Sequence, residues 1–182
     1  MVENSPEDSL RVCFDKKKWH KVKCEWVVVK VYASYSSPRA FFENMGANGA
    51  AIWGYEFITP NRPCSVHFDF DGYGPKDGDH STLRQRLKEL RAFLKSEFGI
   101  DRVGICVGCG SRETAKGYKN SYHVVIYTLH VANNKVLEHL VNQIWPGETE
   151  GGLDKKIYTR NRPFRLPGCS KLDLLKNGEV QK

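Results

Sequence analysis

The chain has 182 residues, enough for a real hydrophobic core in one domain or in one domain with a small lobe. Lys and Arg exceed Asp and Glu for a formal net charge of +7, which points to an anionic partner, with the distribution of charge left to decide. No apolar run reaches the ~18 to 20 residues of a membrane span, and the acidic, polar start "MVENSPEDSL" is unlike a secretory signal, so an intracellular protein without membrane contact is expected.

In chain order, residues 1–15 are polar and expected to be flexible. "EWVVVKVYASY" (25–35) is β-branched and aromatic, hence a strand. "SSPRAFFENMG" carries Ser before Pro and a short apolar period ending in Gly, which predicts a helix of two or three turns. "AAIWGYEFI" is a second strand, "TPNRPC" a turn, and "SVHFDFD" a third strand expected to pair with the second. "GYGPKDGD" is a loop.

A helix over about 81–98 follows, with Leu83, Leu87, Leu90, Leu94 and Phe98 on its core stripe. "DRVGICVGCG" reads as a buried strand, "SRETAKGYKN" as a charged loop and "SYHVVIYTLH" as another strand. "NNKVLEHLVNQIW" predicts a helix with Val136, Leu137, Leu140, Val141 and Ile144 inward, broken by "PGETEGG". The order is that of an α+β or mixed-sheet domain. The six cysteines read as reduced thiols, because a chain of this length and apolar content needs no disulfide staples, and Cys106 and Cys109 form a lone C-x-x-C with no second pair to complete a zinc shell.

Three segments hold polar residues where a plain core would not. In "SVHFDFDG" the period is two, so Asp69 and Asp71 point the same way, roughly 7 Å apart, and need cationic compensation. In "KNSYHVVI", Lys119, Ser121 and His123 share a parity opposite to Tyr122, Val124 and Ile126. The third begins at Asp154 and runs through Arg160, Arg162, Arg165 and Lys171. Carboxylates beside cationic and hydroxyl donors suit metal-dependent phosphoryl or nucleotidyl transfer, in which hard divalent cations take oxygen ligands and guanidinium and ammonium groups take phosphate.

"HFDFDG", "KNSYH" and "LDKKIYTRNRPFRLPGCSK" resemble, in that order, the three motifs of archaeo-eukaryotic primases, most closely the primase-polymerase branch and related viral and mobile-element primases. The likeness runs from roughly Tyr55 to Lys171. It implies an N-terminal α/β lobe packed on an RRM-like lobe with the active site in the cleft between them, the catalytic core spanning 16–175 and a tail, 176–182, truncated from a longer chain. It implies two Mg²⁺ or Mn²⁺ ions on Asp69, Asp71 and Asp154. The triphosphate of an NTP or dNTP would be held by Lys119, Ser121, His123, Arg162, Arg165 and Lys171. Lys30 falls near a further basic contact of the family, and Tyr158 and Asn161 belong to the third motif.

The activity so implied is a DNA primase or DNA-directed polymerase acting on a single-stranded template with a primer strand. Template contacts would come partly from "DKKKWHKVK". The zinc-binding or helicase regions appended in relatives are not within these residues, which makes extension the activity expected of the core. The rivals are a non-catalytic single-stranded nucleic-acid-binding module and a D-x-D nucleotide-sugar enzyme.

Overall fold

A computed structural model describes residues 9–47, 54–147, 152–159, 161–165, 169, 172 and 179. It is a mixed α+β structure with antiparallel sheets and three α-helices among the described residues. The chain divides into two units, Met1–Ile58 with Pro163–Lys182, and Thr59–Arg162.

The first unit holds strands β1 (Leu10–His20), β2 (Glu25–Tyr35), β3 (Gly54–Ile58) and β8 (Arg162–Arg165), in the order β2-β1-β3-β8, with helix α1 (Pro38–Ala47). The expected strand at 25–35 and the helix after "SSP" are both present. A loose N-terminus is corrected from Leu10 onward: β1 pairs with β2 along its whole length, and Val12 and Cys13 are fully buried. Phe41 of α1 packs beneath this hairpin with Phe14 and Tyr35, which fixes the helix on the sheet.

The second unit begins with β4 (Cys64–Tyr73), followed by α2 (Ser81–Phe98), β5 (Ile105–Cys109), β6 (Arg112–Thr114), β7 (Gly117–Val131) and α3 (Asn134–Ile144). β7 is the centre, with β4 on one edge, and β5 and β6 on the other, all antiparallel to it. β4 therefore pairs with β7; the expected partner, β3, lies in the other sheet. Residues 152–154 then add a short antiparallel bridge, Phe70 opposite Leu153, to the free edge of β4. The spatial order is bridge, β4, β7, β5, generated by a β-α-β-β-α-β succession.

The apolar face of this sheet receives both helices. Val66, Phe68, Val124 and Ile126 are fully buried, as are Leu90, Leu137 and Val141 on the helices. Trp145 stands edge-on to Phe68 and Phe70 and donates from Nε1 to Glu89 at 2.8 Å, so one indole joins the sheet, α2 and the end of α3. α2 ends as its sequence demands, with Gly99 at φ 67 closing the last turn. Asn133 caps α3 by accepting from the backbone of Lys135 and Val136.

Some details depart from expectation. Phe98 and Val136 are exposed rather than inward. "SRETAKGYKN" is not a loop, because β6 and the start of β7 form a hairpin through it. β5 is not buried: four of its five residues are exposed, with Cys106 and Cys109 among them as free thiols. Their register against Val125 and Tyr122 places them on opposite faces, so they do not converge on one ion.

Candidate functional site

The site is built on the face of the second unit's sheet that the helices leave uncovered. Directly opposite residues of antiparallel strands project to the same side. In register, His123 of β7 faces Asp69 of β4, and Ser121 faces Asp71. On the far edge of β4, the Asp154 N–H donates to the Asp69 carbonyl at 2.8 Å, and the Asp71 N–H donates to the Gly152 carbonyl. Two polar rows result. One runs Asp154, Asp69, His123; the next runs Gly152, Asp71, Ser121.

Gly152 is required where it stands. Its φ is +80, and a Cβ there would meet the Asp71 carbonyl oxygen at 2.8 Å. Only a residue without a side chain lets the backbone at 152–154 dock this closely on β4. The Leu153 side chain is buried, which fastens the bridge to the core.

The carboxylates carry local counter-charges. Lys119 Nζ sits 2.6 Å from Asp71 Oδ2, and His123 Nε2 lies 3.4 Å from Asp69 Oδ1. At ~7 Å in an effective dielectric of ~20, two carboxylates repel by roughly 2 kcal/mol, whereas an ammonium in hydrogen-bond contact attracts by more than twice that. Lys119 therefore decides the balance. Asp71 Oδ1 is buried with no hydrogen-bond partner, so half of that carboxylate remains available to a further donor or cation.

Asp154 accepts with Oδ1 from the Lys156 N–H at 2.9 Å, capping a 3-10 turn, Lys155–Tyr158. Among the described residues, no three His, Cys, Asp or Glu side chains converge closely enough to hold a metal ion. Asp154 is thus a neighbour of the pair in register, with one oxygen engaged in its own turn.

Tyr158 ends that turn fully inside, donating from its hydroxyl to the His67 carbonyl at 3.0 Å. Burial, then the charges of Asp69 and Asp154, push its pKa well above the usual tyrosine range, so it stays a neutral donor. His67, next along β4 on the polar face, is buried and its pKa falls to about 4. Its Nδ1 meets the Ser65 carbonyl at 2.8 Å, which makes Nδ1 the protonated nitrogen of a neutral ring.

Sequence reasoning missed the supports. The Ser111 hydroxyl accepts from the Ser121 N–H at 2.9 Å, and Asn120 clamps the loop after β4 by accepting from Asp77 and donating to Pro75. The Tyr122 hydroxyl meets Asp77 and His80, and burial raises its pKa to about 12. Beside Asp71 a cavity of about 550 Å³ opens between this loop and the start of α2, lined by Gly72, Gly74, Lys76, Ser81 and Arg86. The two small residues at 72 and 74 were the available signal.

Arg162 is exposed and donates from Nε to Thr159 Oγ1 at 2.5 Å. Arg165 belongs to the first unit, where its charge bears on Tyr55. Arg160 and Lys171 lie outside the described residues. Lys30 is taken by Asp15, 2.5 Å away, and lies over the Tyr55 ring. Asn161 holds a left-handed turn at φ 57.

Comparison with family models finds no match, and comparison with curated proteins finds none either. Among the described residues no helix is long and apolar enough to cross a membrane.

Proposed function

We propose that this chain is the catalytic core of a template-dependent nucleotidyltransferase of the archaeo-eukaryotic primase kind. The observation that carries the reading is the pair of polar rows, in which Asp69, Asp71 and Asp154 meet Ser121 and His123 on one sheet face with Lys119 against Asp71. The bridge-β4-β7-β5 order with both helices on the other face supports the RRM-like lobe that the three motifs imply.

Asp69 and Asp71, with Asp154 beside Asp69 in register, are the carboxylates that would hold Mg²⁺ or Mn²⁺, closing on the ion from positions that do not yet converge. The orphaned Asp71 Oδ1 and the all-oxygen donor set fit a hard cation. When bound, such ions offset charge on the α-phosphate and on the departing pyrophosphate. Lys119, Ser121 and His123 bind the triphosphate oxygens. The primer 3′-oxygen bonds to the α-phosphorus, the bond to the β-phosphate oxygen breaks, and the hydroxyl proton passes to water. Tyr158 holds β4 to the 3-10 turn, keeping Asp69 and Asp154 in register.

The test is extension of a labelled primer on a single-stranded template with dNTPs or NTPs and Mg²⁺ or Mn²⁺. Asp69→Ala lowers extension on the order of 10³-fold or more while single-stranded DNA binding persists. Equal activity in mutant and wild type removes the assignment. Binding without extension by the wild type favours a non-catalytic module, and nucleotide-sugar turnover without template favours the D-x-D alternative.

A further inference from the structure

The first unit carries a second surface that the transfer chemistry does not use. β1 and β2 pair without interruption from Leu10 opposite Tyr35 to His20 opposite Glu25, yet β3 borders β1 only at residues 12–14. From Lys16 to the turn, the hairpin is a two-stranded ribbon with no third strand among the described residues. Such a ribbon gains little from its own backbone pairing. What it displays is therefore informative.

One face of the ribbon bears Trp19 directly opposite Trp26, and Lys17 directly opposite Val28. The two indoles meet edge to face with centroids 5.5 Å apart, and Lys17 Nζ lies 4.3 Å over the Trp26 ring. Both indoles remain open to solvent, at 43% and 39%. The other face presents Lys16 and Lys18, and the turn adds Lys21 and Lys23, so five lysines face one acid, Glu25.

Lysines alone would be explained as guards against edge-to-edge aggregation. Guarding does not call for a pair of exposed indoles at the same place. Flat aromatic faces bracketed by flexible cations are the chemistry of single-stranded nucleic acid, where bases stack and phosphates pair with Lys. An acidic peptide would use the lysines and leave the indoles idle.

We infer that the β1–β2 ribbon is a binding arm for single-stranded nucleic acid, with Trp19 and Trp26 as its stacking platform and Lys16, Lys17 and Lys18 as its phosphate contacts. It rests on the transfer reading only for the identity of that strand as template.

The experiment is fluorescence anisotropy of a labelled oligothymidylate with the full chain, without nucleotide or divalent metal, across a salt series. Trp26→Ala weakens binding roughly tenfold, the stacking loss of one base. The double variant Lys17→Gln, Lys18→Gln makes the salt dependence shallower by about 1.4 in slope, two single-strand phosphate contacts. Should Trp26→Ala fail to fold, the lysine variant, altered only at exposed side chains, decides alone. Wild-type affinity in the tryptophan variant with an unchanged slope in the lysine variant overturns the inference. So does polyglutamate competing as well as the oligonucleotide. Primer extension by the unaltered chain separates the two readings: a wild type that extends no primer, yet loses oligothymidylate affinity in the ribbon variants, sinks the enzyme and leaves the arm.

Discussion

Gly152→Ala tests how the third carboxylate is held. The new methyl group meets two costs. At φ +80 an L-residue loses roughly 1 kcal/mol relative to glycine, and its Cβ would stand 2.8 Å from the Asp71 carbonyl oxygen and 3.2 Å from its carbon. Those atoms belong to a paired strand and have no rotamer to escape into, so relief requires residues 152–154 to lift from β4. Gly147, at φ +74 with nothing within 4 Å of its Cβ position, isolates the first cost.

Gly147→Ala is therefore expected to lower unfolding free energy by about 1 kcal/mol and to leave nucleotidyl transfer intact. Gly152→Ala should cost about 2 kcal/mol or more and reduce transfer at least tenfold, since the hydrogen bond from Asp154 to the Asp69 carbonyl lengthens. Urea melts of both variants beside primer extension give the comparison. If the two alanines behave alike in stability and activity, the close docking of the 152–154 backbone does not build the site.

Two further predictions concern buried ionisable groups. His67 has its pKa lowered from 6.5 to about 4 by burial, so the unfolded chain takes up a proton that the native chain refuses. Stability is full above about pH 6.5 and falls as pH drops toward 4, by about 3 kcal/mol in all; denaturant melts across that range should show it, and a His67→Gln variant with the same pH slope would show that another group is responsible. Asp15 is buried beneath Lys30, accepts from the Tyr55 hydroxyl at 2.7 Å and from the Leu172 N–H at 3.3 Å. Asp15→Ala strands all three, at a cost of about 3 kcal/mol. A loss under 1 kcal/mol by urea melt would mean that these contacts carry little of the first unit's stability.

What the sequence made legible follows from which signals are local. Strand parity put Asp69 with Asp71, and Lys119 with Ser121 and His123, on one face, and β4 and β7 then brought both sets together in register. Helical spacing located α2 and α3, although Phe98 and Val136 fall where the core has ended and are exposed. β1 was missed because its distal half is a lysine run on a free ribbon, where no buried face imposes alternation. β3 and β4 are neighbours in sequence joined by a short turn, which suggested a hairpin; only long-range pairing sends them to separate sheets. The third motif reads as one basic block, yet its parts divide between the two units after Arg162, and no local pattern announces that division.

The bridge at Phe70 and Leu153 also sets a timetable. β4, α2, β5 and β7 can pair and collapse among themselves, and the Asp154 segment joins from the far end of the unit, across α3. During synthesis the carboxylate pair, its lysine and its histidine exist before their third acidic neighbour has docked. Catalytic competence on this reading is gained last, and a chain cut short before residue 152 loses the third carboxylate together with the buried Leu153 and Tyr158 that pack against β4.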